Sequence, residues 1–171
     1  MIRDRDRSYW VGASDTVYVT GNWKTDSFKK WFLEKLGLHT NTISTKAMKA
    51  GTQYEHKILE TIPNVTKDRQ ILIPELHLRV NLDGDTGDTI YEVKTHKADK
   101  PFKVPKNYRQ QVNVQMFATG IKTAYIVSYG LTDDDYANYF NEIDTTRIQY
   151  HKIEYDDEFI SAYLEKLKYL C

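Results

Sequence analysis

The segment Val80–Lys97 reads VNLDGDTGDTIYEVKTHK and sets a glutamate and a lysine two residues apart, Glu92 and Lys94, downstream of Asp83. Side chains on a strand alternate between faces, so Glu92 and Lys94 project together while Val93 packs the other way. A hairpin-like return through the intervening polar residues can bring Asp83 beside Glu92. Two hard carboxylate oxygens at one point suit Mg²⁺ or Mn²⁺, which keep waters and bind phosphate oxygens in their remaining positions. The Val93 carbonyl is a candidate further ligand. The Lys94 ammonium can orient an attacking water or stabilise charge on a phosphorane, while the metal lowers the pKa of the water. That is the chemistry of phosphodiester hydrolysis. Asp85 and Asp88 could in principle take the place of Asp83, and an isolated E-x-K is more often a solvated strand face. The reading therefore rests on what surrounds the segment.

Upstream, Gly51, Glu55, Ile58 and Ile62 fall at i, i+4, i+7 and i+11, which puts Glu55 on the inward stripe of a helix. A carboxylate there needs a solvated edge or a cationic partner, and a metal is one such partner. Downstream, Tyr108, Gln111 and Gln115 fall at i, i+3 and i+7 of another helix, beside Val112 and Met116. The long amides can hydrogen-bond phosphate and sugar, and an ordinary polar helix face is the equal alternative. Near the start, Arg3, Arg5 and Arg7 alternate with Asp4 and Asp6. Arg3 and Arg5 read as a solvated tail, whereas Arg7 precedes a helix that Ser14 or Asp15 caps, and a helix N-terminus with an arginine is a ready phosphate site. The histidines, His39, His56, His77, His96 and His151, show no zinc-ligand spacing and read as surface or structural.

The elements that must position these groups can be read from periodicity. Helices are predicted over about 14–20 and 25–36, the second from Phe28, Trp31, Phe32 and Leu36 with Gly37 as its stop. A third runs from an N-cap at Ser44 to about Ile62, with positions 47, 51, 54, 58 and 62 on one face and Pro63 ending it. Strands are predicted at Ile71–Ile73, Leu76–Leu82, Thr89–His96, Thr123–Tyr129 and Arg147–Ile153, with Asp83-Gly84 closing the second of them. A crossover helix occupies about Asn107–Thr119, and an amphipathic helix about Asp157–Leu170. The order predicts a mixed α/β fold, a central mixed sheet flanked by helices.

Composition bounds the rest. With 171 residues, 40% hydrophobic and 13% aromatic, the chain supports one compact domain, taken as residues 1–171. Its 24 basic and 24 acidic side chains cancel, so nucleic-acid contact must come from a local basic patch rather than a global field. The single cysteine, Cys171, excludes a disulfide framework and any Cys-rich zinc or iron-sulfur site. No apolar run approaches a membrane span, and MIRDRDRSYW lacks the apolar core of a signal peptide. A soluble, cytoplasmic protein is expected. The 13 tyrosines read mainly as core and subunit contacts, with base stacking as the alternative.

In combination, Arg7 with Gly12-Ala13-Ser14-Asp15, Gly51-x-x-Tyr54-Glu55, Asp83-Gly84, Glu92-Val93-Lys94 and Tyr108-x-x-Gln111 before Met116 resemble the lambda-exonuclease-like viral recombinase branch of the PD-(D/E)XK nuclease superfamily. The resemblance extends from Arg7 to about Tyr129. It implies that Glu55, Asp83, Glu92 and Val93 surround Mg²⁺ or Mn²⁺, that Lys94 assists the nucleophilic water, and that Arg7, Ser14 and Gln111 hold a terminal 5′-phosphate. Tyr108 and Gln115 are weaker candidates for DNA contact. The implied activity is 5′-to-3′ degradation of one strand of linear duplex DNA, in a phage, within the host cytoplasm. A homotrimer and a single-strand annealing partner are implied with it. Asn113 stands where the family often has a second glutamine, and the chain is shorter than the best-known members. The alternatives are a structure-specific or restriction-type endonuclease on the same fold and a non-catalytic DNA-binding module.

Overall fold

The computed structural model describes residues 10–35, 46–138 and 140–170, together with the backbone but not the side chains of 46–50. Five strands form one sheet in the order β1-β2-β3-β4-β5: Thr66–Ile73, Leu78–Asp85, Ile90–Lys97, Ala124–Leu131 and Ile148–Ile153. Neighbours are antiparallel except β3 and β4, which run parallel. Parallel neighbours need a crossover, and helix α4, Lys106–Thr119, supplies it. Gly120 ends that helix in the left-handed region at φ 76°, where its N–H caps the Met116 carbonyl. The predicted α/β class and mixed sheet are present.

Both faces of the sheet are covered, and the two hydrophobic clusters follow strand alternation. One face carries Leu78, Val80, Leu82, Ile90, Ala124 and Ile126 against α4 and α6, Asp157–Leu170, with α1, Thr16–Thr20, and α2, Asp26–Lys35, packed beside them. The other carries Val93, Val127, Tyr129 and Leu131 against Tyr54, Ile58 and Leu59 of α3, Lys46–Leu59. The Tyr54 hydroxyl donates to the carbonyls of Asp135, 3.2 Å, and Asn138, 2.8 Å, which ties α3 to the short helix α5, Asp133–Ala137.

The feature that makes a site is a gap between β2 and β3. Their ladder comprises Gly84↔Tyr91 and Asp85↔Ile90 and then stops. At the far end of β2, Leu78 is instead bridged by Val11, whose N–H and carbonyl pair with His77 and Arg79 at 2.7 and 2.9 Å. Between those two pairings the strands diverge and side chains occupy the opening.

Three expectations change. Asp83-Gly84 lies inside β2 rather than at its end, and the turn is at Thr86–Thr89, whose backbones pair at 3.0 Å. Strand β1 begins at Thr66, not Ile71, because its first half is an exposed stretch with no apolar alternation. Helix α5 was not anticipated; Thr132 and Asp135 cap it reciprocally, at 3.2 and 2.9 Å. The proposed cap Ser44 and stop Gly37 lie outside the described residues.

Candidate active site

Strand alternation puts Glu92 with Ile90 on the α4 side, and Asp83, out of phase with Val80 and Leu82, on the α3 side. A continuous ladder would keep them apart. Because the ladder stops at Gly84, the Asp83 carboxylate turns into the gap and accepts from the Val93 N–H at 2.8 Å, in place of a backbone partner. Glu55, on the half-buried edge of α3, comes within hydrogen-bonding reach of Asp83, and Asp83 within reach of Glu92. Three carboxyls from two faces of the sheet thus meet at one opening.

Gly84 makes the approach of α3 possible. A Cβ there would stand 2.7 Å from Leu59 Cδ2 and 2.8 Å from Val65 Cγ2, inside van der Waals contact. The glycine serves packing and not a turn: any side chain there would force Leu59 and Val65 to shift.

Helix α4 supports the cluster from the other side. Gln111 Nε2 donates to Glu92 Oε1 at 3.0 Å, and Gln115 Nε2 donates to Glu92 Oε2 at 2.9 Å. Lys94 Nζ donates to Gln111 Oε1 at 2.9 Å, lies 3.6 Å from Glu92 Oε1, and sits 4.3 Å above the Tyr108 ring. Glu92 is only 5% exposed and Gln115 is fully buried. Burial excludes Gln115 from contact with DNA, so that expectation is corrected: its amide holds the glutamate. The Gln115 Oε1 atom is buried without a partner among the described residues, a cost that marks the position as constrained.

The electrostatics are those of carboxylates short of positive charge. Burial, then the charge of Asp83, pushes Glu92 up to about 8 despite Lys94. Burial and the Glu55 charge raise Asp83 well above its usual range, although part of its surface reaches solvent at the mouth of the gap. Burial raises Glu55 also, against the opposing hydrogen bond from Asp83. Hard oxygen donors, crowded and under-compensated by one ammonium, fit a divalent cation of the Mg²⁺ or Mn²⁺ type.

Asp83 is distinguished from its neighbours by its partners. Asp85 is buried and paired with Arg69 at 3.0 Å, and Asp88 is an exposed turn residue accepting from Thr86 Oγ1 at 2.7 Å. Ser14 stands exposed on the 3₁₀ turn Ala13–Asp15, three residues after Val11, and none of the hydrogen bonds of the carboxylate cluster involves it. Arg7 lies outside the described residues. A cleft between α4 and the β5–α6 connection, lined by Lys106, Arg109, Asp156 and Phe159, contains none of the three carboxylates.

The order of motifs and the geometry they build have a counterpart among known proteins. The YqaJ-like viral recombinase domain matches residues 4–122, more than two thirds of the chain. The chain belongs to that family. The match spans every member of the cluster from Glu55 to Gln115. The alkaline exonuclease LHK-Exo from Laribacter hongkongensis is similar in structure, with a TM-score of 0.71 and 24% identity over 96% of this chain and 87% of that one. Its complex with dAMP gives 0.70 and 25% over the same shares. A phage-related exonuclease from Haemophilus somnus 129PT gives 0.71 and 14%, over 94% and 91%. No curated protein matches by sequence. The YqaJ-like domain therefore shares its fold, a mixed five-stranded sheet flanked by helices, with these exonucleases.

Proposed function

We propose that this YqaJ-like domain is a metal-dependent deoxyribonuclease that degrades linear duplex DNA from its 5′ end. The observation that carries the reading is the meeting of Glu55, Asp83 and Glu92 beside Lys94 in the gap between β2 and β3. The exonuclease names of the similar structures support it.

Asp83 and Glu92, with Glu55 behind them and the Val93 carbonyl as a further donor, would hold Mg²⁺ or Mn²⁺. A divalent ion there supplies polarisation of a phosphoryl oxygen and a water of lowered pKa. The protein's own contributions are distinct. Gln111 and Gln115 fix both oxygens of Glu92 with neutral donors, so the group is oriented without further cations competing for it. Lys94, held between Gln111, Glu92 and the Tyr108 face, presents an ammonium for the attacking water or the non-bridging oxygens of the phosphate. Arg7 and Ser14, with the second N–H of the Gln111 amide, would hold the 5′-phosphate.

Such an activity yields 3′ single-stranded tails for phage recombination. A homotrimeric ring would retain a charge-neutral domain on DNA, and an annealing protein would receive the tails, with all of this in the host cytoplasm. Among the described residues no helix is long and apolar enough to cross a membrane.

The test is digestion of linear duplex labelled at either end, with Mg²⁺ or with chelator, beside a closed circle. Mg²⁺-dependent loss of 5′ label with the circle spared is expected. Equal cutting of the circle would favour an endonuclease, and no cleavage under any condition a non-catalytic module. Arg7→Ala should slow digestion of phosphorylated ends about ten- to a hundredfold, the equivalent of losing a roughly 1.5–3 kcal/mol charge-assisted contact, with less effect on hydroxyl ends.

A further inference from the structure

We propose that Glu55, His56 and Asp68 form a second cation site, outside the inner carboxylates, that takes borderline first-row ions such as Mn²⁺, Co²⁺ or Zn²⁺ in preference to Mg²⁺. One ligand atom from each residue lies within 4.8 Å of the other two. The site rests on the metal-dependent reading only in that it shares Glu55 with the inner cluster.

Its parts come from two elements. Glu55 and His56 are consecutive on α3, and Asp68 is on β1. The β1–β2 ladder pairs Lys67 with Gly84 and Arg69 with Leu82, which leaves Asp68 opposite Asp83. At φ 58° Asp68 turns out of the ladder, and its Oδ2 lies 3.1 Å from His56 Nε2. Glu55 is thus near both carboxylates, Asp68 in this group and Asp83 in the inner cluster.

The chemistry of the three donors selects the ion. A simple histidine–aspartate ion pair needs two groups; here a third, Glu55, brings another carboxylate to the same point. One imidazole with two carboxylates is a donor set for Mn²⁺, Co²⁺ or Zn²⁺, whereas Mg²⁺ prefers oxygen alone. His56 and Asp68 side chains are 51% and 54% exposed, which leaves room for water in the remaining coordination positions. Because Glu55 is shared by both groups, an outer ion would draw on the glutamate that backs Asp83.

The test counts ions bound to the full chain by equilibrium dialysis with Co²⁺ and, separately, Mg²⁺, and records the visible Co²⁺ spectrum. Wild type should bind one more Co²⁺ than His56→Ala or Asp68→Asn, with at least a tenfold loss of affinity for that ion in each variant. The variants should keep the wild-type Mg²⁺ count and melting temperature. The imidazole-ligated component of the Co²⁺ spectrum should vanish in His56→Ala. Equal Co²⁺ counts in all three proteins, or an unchanged spectrum, overturn the site. Cleavage is assayed in parallel with Mg²⁺: its absence from all three proteins would sink the nuclease reading, while the Co²⁺ count would still decide the outer site.

Discussion

Gln111 and Gln115, one helical turn apart on α4, each donate a side-chain N–H to a different oxygen of Glu92, at 3.0 and 2.9 Å. Neutral amides orient the carboxylate without cancelling its charge, which a lysine or arginine in the same place would do. Gln115→Met keeps the volume and removes one donor. It should raise the Mg²⁺ concentration needed for half-maximal cleavage severalfold, with a smaller change in rate at saturating metal. The loss of a hydrogen bond to a charged group corresponds to roughly 1.5–3 kcal/mol. A metal titration of the cleavage rate checks this, and an unchanged titration curve would remove Gln115 from the support of Glu92.

Metal-free stability should depend on pH through Glu92, which burial and the Asp83 charge push up to about 8. A carboxyl whose folded pKa lies above its unfolded value of roughly 4.3 stabilises the fold fully below that value. That contribution is lost as pH rises toward about 8. Melting temperature in chelator should therefore fall between about pH 4.5 and 8, and Mg²⁺ should reverse the fall. Glu92→Gln should reduce the dependence, leaving the part that the raised Asp83 and Glu55 contribute, while abolishing cleavage. Melting curves across that range, with and without Mg²⁺, are the measurement.

Much of this site could be read from the sequence because its chemistry is carried by local periodicity. Glu92 and Lys94 follow from strand alternation, and Tyr108, Gln111 and Gln115 from helical spacing. The depth of Gln115 could not be read in the same way. A glutamine on a mixed helix face looks solvated until the partner across the face, a buried glutamate, is known. The packing role of Gly84, and Asp68 altogether, lie beyond the sequence for a related reason: one is dictated by the approach of α3, the other by a reversal inside β1, and neither leaves a periodic trace. Strand β1 was half missed because its exposed residues 66–69 carry no apolar alternation.

Gly84→Ala should destabilise the protein by about 1–3 kcal/mol through overpacking. The added methyl would meet Leu59 Cδ2 at 2.7 Å and Val65 Cγ2 at 2.8 Å. Leu59→Ala should also destabilise by itself, by creating a cavity. In the double variant the two losses should be less than additive, because the methyl occupies space the leucine vacates. Urea denaturation of the four proteins gives the coupling, and strict additivity would show that the contact is relieved elsewhere.

Asp135 anchors α5 and the segment that follows. Burial would raise its carboxyl, but hydrogen bonds from Arg147, the Thr132 backbone and Asn141 together outweigh that and hold it at about 2. Its depressed pKa contributes stability above the unfolded value near 3.9, lost as pH falls toward about 2. Asp135→Asn should cost on the order of 2 kcal/mol at neutral pH and almost nothing near pH 2. Denaturation at several pH values tests this. An equal loss at every pH would assign the effect to packing instead of charge.

Substitution of Lys94 should separate the proposed metal binding from the proposed cleavage more sharply than substitution of any carboxylate in the cluster. Its Nζ is 3.6 Å from Glu92 Oε1, so part of its charge offsets the carboxylate that a metal would use. It is also fixed by Gln111 Oε1 at 2.9 Å and by the Tyr108 face at 4.3 Å, a compact seat for a point charge. Lys94→Met removes the charge and keeps the length. Mn²⁺ should bind as tightly or several times more tightly, because Glu92 loses a competing cation. Cleavage should fall by about two to four orders of magnitude, the range for losing a group that acts on the developing charge or the water. Lys94→Arg should not restore the rate, since a planar guanidinium cannot occupy the seat of an ammonium. Paired measurements of Mn²⁺ affinity by electron paramagnetic resonance and of single-turnover cleavage decide the matter. If Lys94→Met lost Mn²⁺ affinity and cleavage in equal measure, Lys94 would be a structural support for the metal site and the water-orienting role would have to pass to another residue.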